Sequence, residues 1–212
     1  MPSASAAQAG DARRADEVRV LLRWMALGAA AGALSGLIVG GLGGRLLMLA
    51  LRERSPEVTG IVSDAGFEMG RFTLSGSLQL AAVTTVLGAM AGLAYVAGRL
   101  ALPAIARVPA ATLLGATVGG VALIDPDGID LLLIEPPDLA AAGFIALPAV
   151  GAMAIALLVE TGARRAPGAM TGSWVVPPTR LRLAARLCAT VLVLVLVVAE
   201  GRILVEEIGR IP

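Results

Sequence analysis

The chain has 212 residues, 57% of them hydrophobic and 16% charged, with a net charge of +1. Histidine is absent, cysteine occurs once, at Cys188, and aromatic residues make up 3%. These counts exclude histidine-ligated zinc and haem, thiolate clusters, an intramolecular disulfide and an aromatic platform for bases, and the charge argues against nucleic acid as a partner. Several apolar runs reach the roughly 20 residues needed to cross a bilayer, so the fold expected is all-α, an integral membrane bundle. All 17 basic residues are arginine, which, with the Ala, Gly and Val bias, has the look of a GC-rich bacterial genome.

Residues 1–18 are small, polar and of mixed charge, and too poor in apolar surface to offset the entropy of ordering. They are expected to form a disordered cytoplasmic tail before a membrane domain of residues 19–200. The apolar stretch that follows is far longer than the h-region of a secretory signal, so it reads as an uncleaved anchor over 24–51. Within it Gly28, Gly32, Gly36, Gly40 and Gly44 recur at four-residue spacing. Glycine is a poor helix former in water. In lipid the backbone must bond internally, so the segment stays helical and the bare stripe lets another helix come close. Four-residue steps drift about 40° each on a 3.6-residue helix, so the stripe suits one crossing partner or two in succession. Either the other helices of the chain or a second copy would satisfy it, and this helix is read as the hub of the bundle.

Residues 52–77 form a polar loop punctuated by Pro56, Gly60, Gly66, Gly70 and Gly76. Ser77 is placed as the cap of a second helix over 78–100, whose Gly88 and Gly92, with Thr84 one turn earlier, make it a partner for the first. After a turn containing Arg99, Pro103, Arg107 and Pro109, a third helix over 110–124 carries Gly115 and Gly119 and is short for a span. The charged residues of the stretch 125–138 are all acidic. Asp138 caps a fourth helix over 139–160, with a kink expected at Pro148. A basic loop (Arg164, Arg165, Arg180, Arg182) and Thr179 lead to a fifth helix over 183–199, rich in Leu and Val and placed toward lipid, and residues 201–212 form a short tail.

Arginine clusters in the N-terminal tail, in the turn after the second helix and in the 161–182 loop, which predicts five spans with the N-terminus cytoplasmic and the C-terminus outside. A faint internal similarity at offsets of 62 and 63 residues relates IVSDAG (61–66) to LIDPDG (123–128) and GAMAGLA (88–94) to GAMAIAL (151–157). It would make two hairpins of parallel orientation.

The polar residues offer few sites. Asp125, Asp127 and Asp130 have the carboxylate spacing of part of a calcium loop, but Pro126 interrupts it and Pro136 stands where the twelfth-position acid belongs, so no metal is assigned. The simpler reading pairs these acids with Arg52, Arg54 or Arg71 across the outer face, each exposed pair contributing at most about 1 kcal/mol. Arg45 is a candidate site residue if buried beside Asp64 or Glu68; alternatively it snorkels to headgroups. Gly44, Arg45 and Met48, followed by Ser63, Asp64, Gly66 and Phe67, resemble uncharacterised small multipass membrane proteins of actinobacterial type over roughly residues 40–95. That resemblance implies a bacterial plasma membrane and supplies no activity.

Histidine is missing, and the helix cores of spans two to five carry no aspartate, so neither a serine nor an aspartate protease can be assembled and no catalytic residue is assigned. Glu160 and Glu200 lie at helix ends, which argues against coupled transport. The chain therefore reads as a non-catalytic structural or accessory component of a membrane assembly, with lipid, further copies of itself or other membrane subunits as partners and no cofactor. The alternative is a small-solute permease or channel with a path between helix pairs 1-2 and 3-4, which would need a polar cavity around Thr84, Thr85, Thr112 and Thr117.

Overall fold

A computed structural model describes residues 4–54, 60, 73–99, 102–124, 137–166 and 179–209. The architecture is all-helical among these residues: α1 (Ala4–Ser35), a π-helical segment (Gly36–Gly43), α2 (Gly44–Arg54), α3 (Leu74–Arg99), a 3-10 turn (Ala104–Ala106), α4 (Arg107–Leu123), α5 (Pro137–Arg165) and α6 (Thr179–Ile208). Four helical stretches, Arg14–Arg54, Leu74–Gly98, Ala104–Leu123 and Pro137–Arg165, are long and apolar enough to span a membrane. α6 is a further helix of 30 residues.

The boundaries depart from the sequence expectations in instructive ways. The first helix starts at Ala4 rather than near Trp24. Once a span has nucleated a helix, Ala, Arg and Glu extend it on propensity alone, and Asp16 and Arg19 pair at 3.2 Å on its exposed side. α3 begins a turn earlier than expected, and its cap is Thr73, not Ser77. The Thr73 hydroxyl accepts the Gly76 N–H at 3.3 Å, whereas the Ser77 hydroxyl donates back to the Thr73 carbonyl at 2.9 Å. The third span gains length because Pro109 lies in the first turn of α4, where proline is tolerated, and the 3-10 turn precedes it. α5 likewise opens on Pro137 and runs past Glu160 to Arg165.

α1, the π-helical segment and α2 form one continuous span, and successive spans run antiparallel. α1 lies between α3 and α5, α4 packs on α5 and α6 packs on α4. The hub is therefore shared: α1 joins α3 to α5, and α5 joins that group to α4. α3 and α5 start 63 residues apart, at Leu74 and Pro137, and the two GAMA segments both reach α1 at one level, Gly88 against Gly36 and Gly151 against Ser35.

In the α1–α3 seam a Cβ built at Gly28 or Gly32 would strike the backbone of Gly92 or Gly88, and the reverse also holds. The hydrogen standing in place of each Cβ thus points at the opposing carbonyl, the geometry of a Cα–H···O contact. Four residues forward on α1 meet four residues back on α3: Gly28 faces Gly92, Gly32 faces Gly88 and Gly36 faces Thr84. Then the register slips, for Gly40 again meets Thr84 and Gly41 meets Ala81. The slip coincides with the π-helical turns, where Gly36, Gly40, Gly41, Gly43 and Gly44 weaken the preference for α winding. Extra residues per turn cancel the drift of the stripe, so Gly40 and Gly41 still face α3. Gly44, with Leu80 and Leu147 at 3.6 and 3.7 Å from its built Cβ, is in ordinary contact.

The other seams use glycine differently. Gly115 and Gly119 on α4 form the trough that receives Pro148 of α5, with Ala152 alongside. On its other side α5 accepts side chains of the first span at its own glycines, Leu47 of α2 over Gly143 and Leu27 of α1 over Gly162. Between them the Ser35 hydroxyl donates to the Gly151 carbonyl at 2.9 Å, a polar link between α1 and α5. Two apolar clusters lie toward the two ends: Ala31, Ile155 and Val159 on the side of the C-terminal half of α1, and Leu51, Ile124, Ala140, Ala141 and Leu204 on the side where α2 ends.

Candidate functional site

Three charged residues of the described helices, Arg99, Arg107 and Glu160, converge at the end of the bundle where α3 finishes and α4 begins. α3 delivers Tyr95 and Arg99, four residues apart and so on one face. The 3-10 turn reverses the chain and sets Arg107 at the first residue of α4. α5 brings Glu160 to the same level because it continues for more than a turn beyond it.

Glu160 is held by three side chains. Arg99 donates Nε to Oε1 at 2.8 Å and Nη2 to Oε2 at 2.9 Å, a bidentate pair. The Tyr95 hydroxyl donates to Oε1 at 3.0 Å and Arg107 Nη1 to Oε2 at 3.3 Å. The Arg99 guanidinium also stacks on the Trp24 indole of α1, 4.2 Å from the ring centroid. Arg107 Nε donates to the carbonyls of Arg99 at 2.9 Å and Leu102 at 3.2 Å, so it satisfies oxygens left over beyond the end of α3. The Arg99 and Glu160 side chains are 8% and 14% exposed.

One carboxylate thus ties α3, α4 and α5 together, and α1 joins through Trp24. Two positive guanidinium groups around one carboxylate leave the cluster with net positive charge. A buried ion pair adds little net stability over an apolar core of the same volume, but removing one partner is costly, so the arrangement fixes which helix ends meet. Every carboxylate oxygen is occupied by a donor, which suits a clamp and not a nucleophile or general base.

Sequence reasoning assigned these residues to turn and orientation roles and did not bring them together. The signal that was available is Glu160 itself, an acid with apolar neighbours Leu157, Leu158 and Val159 inside what proves to be continuous helix. The candidate outer-face cluster is only partly visible: Asp64, Glu68, Arg71, Asp125, Asp127 and Asp130 lie outside the described residues. Arg45 is described, and the snorkelling expectation gives way to burial at 7% exposure. Its guanidinium lies over the first turn of α3, where Gly76 leaves the space: a Cβ there would sit 2.7 Å from Arg45 Nη2. Arg52 and Arg54 end α2 exposed.

The threonines named for a solute path bond to their own helices. Thr84 donates to Leu80, Thr85 to Ala81, Thr112 to Val108 and Thr117 to Leu113, at 2.6 to 3.0 Å. No family model matches the chain, and no curated protein and no solved structure matches it.

Proposed function

We propose that the chain is a non-catalytic helical scaffold of a bacterial plasma membrane, a structural or accessory component of a larger assembly. In this reading α6 is a fifth span, the N-terminus and the Arg99–Glu160–Arg107 clamp are cytoplasmic, and the C-terminus is outside. The arginines that favour this orientation include exposed Arg23, Arg164 and Arg165, at the same end of the bundle as the clamp.

The observation that carries the proposal is the way polar groups are spent. The clamp joins three helix ends, Ser35 is tied to Gly151, and the threonine hydroxyls return to their own helices. These groups serve helix packing, and they do not line up as a polar route, so the permease reading ranks second. The outward surfaces are instead broad and apolar, with Leu37, Leu42, Val86, Met90, Leu194 and Val198 exposed, which is the surface a span offers to lipid or to a neighbouring subunit.

Mild detergent extraction of the tagged full chain, followed by affinity capture and mass spectrometry, tests the proposal. A reproducible companion subunit or a defined homo-oligomer is expected. A lone monomer across several detergents would remove the assembly reading. Solute flux through vesicles reconstituted with the purified chain would move the permease into first place.

A further inference from the structure

We infer that the rim around Arg99 and Arg107 binds a phosphate-class anion, the chemistry shared by phospholipid headgroups and free phosphate. The inference stands apart from the scaffold reading and begins from the hydrogen-bond inventory. A guanidinium has five N–H donors. Glu160 and two backbone carbonyls engage only Nε and Nη2 of Arg99 and Nε and Nη1 of Arg107. No other acceptor among the described residues takes the rest. More than half of their N–H groups thus find no acceptor among the described residues, and the two guanidinium groups carry one positive charge more than Glu160 offsets.

A carboxylate ligand would duplicate Glu160, whereas a phosphate offers several oxygens to two forked donors at once. The Arg107 side chain is 15% exposed, enough for its outer edge to meet a headgroup at the membrane boundary without opening the Glu160 clamp. Glu160 competes with the ligand for the same guanidinium groups, so the site is tuned by an internal carboxylate.

The test uses the full chain purified in a zwitterionic detergent. Its melting temperature is recorded with phosphatidylglycerol, with phosphatidylcholine and with inorganic phosphate, and retained lipid is weighed by native mass spectrometry. Stabilisation and retention with phosphatidylglycerol alone support the site and assign it to a headgroup. Stabilisation by inorganic phosphate that competes with the lipid supports it and assigns it to the soluble ion. Arg107→Gln is expected to cut the preference for phosphatidylglycerol over phosphatidylcholine about fivefold, the contribution of one basic residue at a charged surface. Arg107→Lys should keep most of it. Glu160→Gln should raise anion retention even as it lowers the melting temperature, an opposition that a purely structural clamp would not produce. If Glu160→Gln does not fold, the comparison of Arg107→Gln with Arg107→Lys decides alone. Equal response to the two lipids with none to phosphate, or an unchanged preference in Arg107→Gln, would overturn the inference.

Discussion

The α1–α3 and α4–α5 seams both depend on glycines four residues apart, yet they are built on different principles. Between α1 and α3, glycine meets glycine, and what fills the space is backbone: Gly32 against Gly88 and Gly28 against Gly92. Between α4 and α5 the two glycines differ: Gly115 meets the Pro148 carbonyl and the Ala152 Cβ, whereas Gly119 meets a side chain, the ring of Pro148. Where Gly32 meets Gly88 the first seam has no part that can yield. The second has a removable one, so the same motif is rigid in one place and repairable in another.

Substitutions should separate the two. The largest effect is expected from Gly32→Val, which must push the α3 backbone away; a loss of about 4 kcal/mol or more is expected, at the upper end for single substitutions. It should appear as failure to recover folded protein from mild detergent, and no single change on α3 should restore it. Glu160→Ala comes next, leaving Arg99 and Arg107 without their shared carboxylate at a cost of about 2 to 3 kcal/mol, read from denaturant titration in mixed micelles. Gly119→Ala should cost about 2 kcal/mol through its clash with the Pro148 ring. There the Gly119→Ala, Pro148→Ala pair should recover at least half of it, a coupling measured by a double-mutant cycle. Ser35→Ala, which deletes one interhelical hydrogen bond, should lose only about 0.6 kcal/mol in the same titration. Gly98→Ala sets the baseline: nothing lies within 4 Å of the added carbon, and its change should stay within about 0.5 kcal/mol.

The stripe from Gly28 to Gly44 and the pairing of its helix with the one bearing Gly88 and Gly92 were legible because a fixed spacing on one helix calls for a matching spacing on its neighbour. The α5 glycines were not, since Gly143, Gly151 and Gly162 follow no short repeat. Gly143 and Gly162 take leucines from α2 and α1, and Gly151 meets Ser35 and Val39, although the 11-residue step from Gly151 to Gly162 does return to nearly the same face. The clamp was hidden for a further reason. Arg99, Arg107 and Glu160 come from three helices, and their meeting depends on where each helix ends. Ending the fourth helix at Glu160 rather than Arg165 turned an interior acid into a terminal one. Taking Pro103 and Pro109 together as turn residues hid the fact that Arg107 opens a helix. Helix ends are set by competition between capping, propensity and tertiary contact, and the local sequence carries little of that balance.

The wide winding of Gly36–Gly43 gives the first span an uneven tolerance to changes in chain length. Loss of one residue from that segment can be absorbed by tightening a turn to ordinary α geometry, with both flanks left in place. The same loss upstream, between Gly28 and Gly32, would rotate one flank against the other by about 100° and carry half of the bare edge round to the lipid. Over long times, insertions and deletions in this helix should therefore survive at its loose middle and be purged from its first half.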